Sequence, residues 1–81
     1  MSPNIFSYKN YRFFFFSLEE PRVHIHVLSH DGEAKFWIEP EIELAVNKGF
    51  KSHQINELSK VIQEHENEIR EAWQRHFGTP D

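Results

Sequence analysis

The chain has 81 residues, 38% hydrophobic and 15% aromatic, with no cysteine, and nine Lys or Arg against thirteen Asp or Glu leave a formal charge of −4. That length fits one small globular domain, and the missing cysteines exclude disulfides, thiolate zinc sites and cysteine nucleophiles. The acidic excess is shared between residues 1–50 (five cations, seven anions) and 51–81 (four and six), so no basic block supports non-specific nucleic-acid binding, although Arg12, Arg22 and Lys35 can form a small local patch.

Met1-Ser2-Pro3-Asn4 has neither the basic start nor the apolar run of a secretory signal, and Phe13 to Phe16 is far shorter than a membrane span. The expectation is a soluble, cytoplasmic protein with no membrane contact. Without disulfides, stability must come from its aromatic residues or from self-association, a homodimer included.

Asn4 to Ser7 and Tyr11 to Ser17 are rich in aromatic residues and flank Lys9-Asn10, which predicts a hairpin whose turn uses the tolerance of Asn for positive φ. Alternation puts Tyr11, Phe13 and Phe15 opposite Arg12, Phe14 and Phe16, so both faces of the second strand are apolar and at least one must be covered. Leu18-Glu19-Glu20-Pro21 reads as a loop. Val23 to Ser29 then forms a strand, His30-Asp31-Gly32-Glu33 a turn centred on Asp-Gly, and Ala34 to Ile38 a return strand stopped by Glu39-Pro40.

Glu41 to Lys48 reads as a short helix ended by Gly49, with Ile42, Leu44, Ala45 and Val46 apolar. Over Ser52 to Phe77, Ile55, Leu58, Ile62, Ile69, Ala72 and Trp73 recur at three- and four-residue spacing, the pattern of one long amphipathic helix of about 39 Å. Ser52 is its expected N-cap and Gly78 its C′ residue, with Glu66–Arg70 and Glu71–Arg75 as i,i+4 pairs on the solvent side. The Thr79-Pro80-Asp81 tail is expected to fray. The predicted fold is a single α+β domain: an antiparallel meander of three or four strands over 4–39, a bridging helix over 41–48 and a covering helix over 52–77.

Chemistry concentrates in the strand Val23 to Ser29. His24 and His26 share one face of it, and Val23, Ile25 and Val27 the other. Two imidazoles at this spacing can share a divalent metal, with His30, Asp31, Glu33 or Glu39 completing the shell, because zinc takes three or four protein ligands. The same pair can act as general acid and base in phosphodiester cleavage, with Arg12 or Lys35 steadying the developing negative charge. The plain alternative is two histidines hydrogen-bonded within the sheet. On the next strand Glu33, Lys35 and Trp37 share a face and form a candidate binding set; Trp37 either fills a partner's pocket or packs as a core indole beside the stem of Lys35. His65 and His76 continue the apolar stripe of the helix, where they can meet the strand histidines, and His53 lies beside the N-cap.

Asn4-Ile5-Phe6, Tyr11-Arg12-Phe13-Phe14-Phe15, Pro21 with His24-Ile25-His26-Val27, Gly32-Glu33-Ala34-Lys35-Phe36-Trp37 and the final Ala72-Trp73 together resemble the small bacterial domain-of-unknown-function family numbered forty-one-sixty. The resemblance covers nearly the whole chain, and the family's motif falls on Arg12, His24, His26, Gly32, Glu33, Ala34 and Lys35. Arg22 and Val23 stand where many relatives look like Pro-Pro-His. The resemblance implies a small stand-alone protein, often encoded beside another small protein in a toxin–antitoxin-like pair, and it carries no catalytic residue across.

Three functional readings follow. The first is a non-enzymatic component of such a two-gene module, binding the product of an adjacent gene, with an acidic surface suited to a basic partner. The second is a toxin-like ribonuclease using His24 and His26, with or without a metal. The third is a phage or mobile-element inhibitor of a host defence complex.

Overall fold

The computed structural model describes residues 4–15 and 22–78. Five strands, β1 (Asn4–Tyr8), β2 (Tyr11–Phe14), β3 (His24–Ser29), β4 (Gly32–Trp37) and β5 (Glu43–Lys48), pair antiparallel in chain order as one sheet. Two helices follow, α1 (Ser52–Glu64) and α2 (Glu66–Phe77). The expected Leu18-to-Pro21 loop, the Phe16-Ser17 end of the second strand and the terminal tail lie outside the described residues.

Strand alternation sorts the side chains as their chemistry requires. Phe13, Ile25, Val27, Ala34 and Phe36 turn to one face, joined by Phe15 and Ile38 just beyond β2 and β4, and pack on Leu58, Val61, Ile62, Ile69, Ala72 and Trp73 of the helices. Removing these side chains from water supplies the main stabilisation, at about 1.5–3 kcal/mol for each large aliphatic or aromatic residue fully buried. Phe50, between β5 and α1, adds an aromatic edge against Tyr11 at 5.7 Å between centroids.

The hairpins form where expected, with shifted detail. Lys9-Asn10 joins Tyr8 and Tyr11, but the positive φ of 54° belongs to Lys9, not Asn10. Lys9 is held there by an ion pair with Glu57 at 2.7 Å. In the second turn Ser29 pairs with Gly32, so His30-Asp31 forms the tip and Gly32 opens β4. Gly32 is needed for close approach: a Cβ there would lie 2.2 Å from the carbonyl oxygen of Lys48.

Two predicted elements are corrected. The segment read as a bridging helix contains β5, which pairs with β4 from Glu33↔Lys48 to Trp37↔Glu43 with a register shift at Lys35/Phe36. Glu43-Leu44-Ala45 favours a helix locally, but the segment is too short to offset helix nucleation, whereas pairing satisfies the outer backbone groups of β4. The strand count is therefore five rather than three or four.

The single long helix is two helices parted at His65. The His65 amide is shared between the carbonyls of Val61 and Ile62, at 3.1 Å each, and its ring Nδ1 donates to the Val61 carbonyl at 2.9 Å. A side chain competing for the backbone acceptor of its own turn interrupts the ladder without Pro or Gly. The ring also stacks on Phe6 at 4.2 Å. The N-cap of α1 is Lys51 rather than the expected Ser52, which is the first helical residue, because Gln54 Oε1 accepts from the Lys51 amide at 2.8 Å; α2 ends at Gly78, whose amide reaches the Gln74 carbonyl at 2.8 Å.

Arg70 ties α2 to the sheet. It holds Glu66 one turn away at 2.7 Å, pairs with Glu39 after β4 and donates to the Ile38 carbonyl at 3.3 Å. The Glu66–Arg70 pair expected on the solvent side is thus part of a tertiary clamp.

Candidate interaction face

The alternate residues of the same strands form the face opposite the helices, and the register arranges them in rows. Arg12, Leu28, Glu33 and Lys48 lie opposite one another across β2 to β5, followed by Phe14, His26, Lys35 and Val46, then His24, Trp37 and Glu43 across β3 to β5. Rows stand about 6.7 Å apart along the strands, and neighbours within a row about 4.8 Å apart.

The His24 end of this face is closed. His24 is fully buried, its ring edge-on to Trp37 at 5.6 Å and against Trp73 of α2 at 5.1 Å. Its Nδ1 lies 2.6 Å from the Arg22 carbonyl. A carbonyl only accepts, so Nδ1 carries the proton and donates. Arg22 lies over the Trp37 ring at 4.2 Å, Lys35 approaches the same ring at 4.4 Å, and Arg22 also donates to the Glu39 carbonyl at 2.8 Å. Such cation–aromatic contacts orient the indole and contribute about 0.5–1 kcal/mol each at partly exposed positions.

His24 and His26 share a face as expected, with ring centroids 5.1 Å apart, but their surroundings differ. His26 is half-buried and stacks on Phe14 at 5.6 Å. His24 is sealed by two tryptophans, so a general acid–base role for it would require an indole to move aside. Among the described residues no three His, Asp or Glu side chains gather to hold a metal ion. Two of the four proposed completing ligands are engaged elsewhere: Asp31 accepts from Gln54 at 3.0 Å and Glu39 pairs with Arg70. Of the helix histidines, His65 stacks on Phe6 and His76 packs near Phe15 and Phe77, while Trp73 of α2 reaches His24.

The other end of the face is open. Leu28 is 38% and Val46 40% exposed, in the rows that carry Lys48 and Lys35. Arg12, Lys35 and the anion Glu33 stand among them, which brings the predicted binding residues Glu33, Lys35 and Trp37 together on β4. Leu28 follows His24 and His26 in the alternation of β3, whereas Val46 and Lys48 escape a reading of the sequence, since their membership depends on β5 being a strand.

A separate polar cluster sits at the first hairpin, where Glu57 of α1 accepts from the Tyr8 hydroxyl and from Lys9, each at 2.7 Å. The Lys9 ammonium foremost, with the Tyr8 hydroxyl, holds the Glu57 carboxyl below its ordinary range. The carboxylate in turn raises both Tyr8 and Lys9.

These features define a two-layer α+β protein with one sheet face under its helices and the other partly open. The family model described as Domain of unknown function (DUF4160) matches residues 10–74, and the chain belongs to that family. No curated protein and no solved structure matches it. No helix among the described residues is long and apolar enough to cross a membrane.

Proposed function

We propose that this protein is a non-enzymatic interaction component of a bacterial two-gene module of the toxin–antitoxin kind, and that it holds a protein partner on the open end of its sheet face. The observation that carries the reading is the pair of exposed aliphatic residues, Leu28 and Val46, set on a rigid sheet among Arg12, Lys35 and Lys48 beside the clamped Trp37. Apolar anchors ringed by polar groups are the usual make-up of a protein-binding patch. The burial of His24 weighs against the ribonuclease alternative, which needs both imidazoles at a substrate.

Co-expression with the tagged product of the adjacent gene tests this. A complex that survives purification is expected, lost on Leu28→Glu or Val46→Glu while each variant keeps the wild-type circular dichroism spectrum. Expression of the chain alone should leave growth unaffected. Growth arrest relieved by His26→Ala would reject the interaction reading and restore the enzyme.

A further inference from the structure

We infer, on the basis of that interaction reading, that the partner docks through an acidic segment with aliphatic anchors laid across β3, β4 and β5. The chain as a whole carries −4, yet among the described residues the open face gathers Arg12, Lys35 and Lys48 against Glu33, with Arg22 paired to Glu43 at 3.6 Å on its rim. The helices carry Glu57, Glu64, Glu66, Glu68 and Glu71 against Lys60, Arg70 and Arg75. Among the described residues this sheet face is therefore net cationic and the helices are net acidic. The acidic surface expected to take a basic partner belongs to the helix layer, opposite the exposed apolar anchors.

The spacing describes the segment. Leu28 and Val46 are two strands and one row apart, about 12 Å, the distance spanned by two turns of helix or four residues of extended chain. Lys35 neighbours Val46 within its row, and Lys48 ends the row that holds Leu28. Glu33 stands between Leu28 and Lys48, so a uniformly anionic ligand is repelled at the centre of that row. Carboxylates are accepted beside the anchors, toward Lys35, Lys48 and Arg12, which selects a mixed acidic and aliphatic sequence.

The same geometry disfavours a single-stranded nucleic acid. Bases need exposed aromatic planes for stacking, but Phe14 is 8% exposed and Trp37 has cations over its ring. The exposed large hydrophobic groups among the described residues are aliphatic and offer no plane for a base to stack on.

The test is an NMR titration of the full isotope-labelled chain with three probes: a short amphipathic peptide of Glu and Leu, the same peptide with Gln for Glu, and oligouridine. The Glu-Leu peptide should shift the amides of Leu28, Lys35, Val46 and Lys48, and bind about tenfold more tightly than the Gln-Leu peptide. Lys48→Glu should weaken it by about the same factor, and so should Lys35→Glu, which also loses its contact with the Trp37 ring; circular dichroism spectra matching wild type show that each variant keeps the fold. Equal binding of the two peptides, shifts confined to the helices, no response to the Glu-Leu peptide, or oligouridine moving this face instead would each overturn the inference. If the adjacent gene's product binds wild type, Lys35→Glu and Lys48→Glu alike, the acidic-segment inference falls while the interaction reading stands; if that product does not bind at all, the interaction reading falls.

Discussion

Replacing Gly32 with alanine tests how tightly the sheet closes on the start of the helix layer. An added Cβ would sit 2.2 Å from the Lys48 carbonyl oxygen and 3.0 Å from the Gly49 Cα, against 3.4 Å for ordinary contact. Relief would move the end of β5 by about 1.2 Å, and the obstructing atoms are backbone, with no side-chain rotamer to absorb the shift. Overpacking of this kind costs about 1–3 kcal/mol. In a domain of this size each kcal/mol lowers Tm by about 4–8 °C, so a fall of roughly 10–20 °C is expected for a cost of 2–3 kcal/mol. Gly78 is the control: its φ of 74° disfavours alanine, but nothing lies within 4 Å of an added Cβ, and the site is a helix end. Gly78→Ala should cost at most about 1 kcal/mol. Gly49→Ala combines a φ of 106° with a Cβ 2.5 Å from the Asp31 carbonyl oxygen, and should be at least as damaging as Gly32→Ala. Thermal melts followed by circular dichroism rank the three. If Gly32→Ala melted with Gly78→Ala, the close approach of β5 to the hairpin would be refuted.

Other expectations follow from burial and charge. His24→Ala should cost about 2–4 kcal/mol in urea unfolding, from the cavity between two indoles and an unsatisfied Arg22 carbonyl, and His26→Ala less than about 1; equal losses would contradict the burial difference. Because the folded state lowers the Glu57 carboxyl below 4.5, its contribution to stability is present above that pH and lost as the group protonates on acidification. The raised Lys9 contributes below 10.5 and loses its share as pH rises through its folded value. Glu57→Gln should therefore melt below wild type at neutral pH and converge with it in acid, whereas a constant gap would assign the effect to packing. Arg70→Ala should cost about 1–2 kcal/mol and Arg70→Lys recover only part of it, since one ammonium cannot span Glu66, Glu39 and the Ile38 carbonyl; full recovery in urea titrations would show that charge alone matters.

Much of the fold was legible in local pattern. Alternation over 11–17, 23–29 and 34–38 identified the three strands found at Tyr11–Phe14, His24–Ser29 and Gly32–Trp37 and the residues of each face, because a strand's side-chain period is two whatever its neighbours. The three- and four-residue spacing of Leu58, Ile62, Ile69 and Ala72 identified the covering helix and its buried stripe for the same kind of reason. Pairing of His24 with His26, and of Lys35 with Trp37, was equally a matter of local geometry.

Tertiary structure decided whatever depended on partners distant in sequence. Glu43 to Lys48 became a strand because β4 had an edge to satisfy, and only then did Val46 and Lys48 join the open face. His65 broke the helix where its imidazole turned on its own backbone and stacked on Phe6. His24 was sealed by Trp73, which lies 49 residues further along the chain. Arg12, Lys35 and Lys48, far apart in the chain, came to one sheet face because folding sorts side chains by face, while sequence orders them only by position.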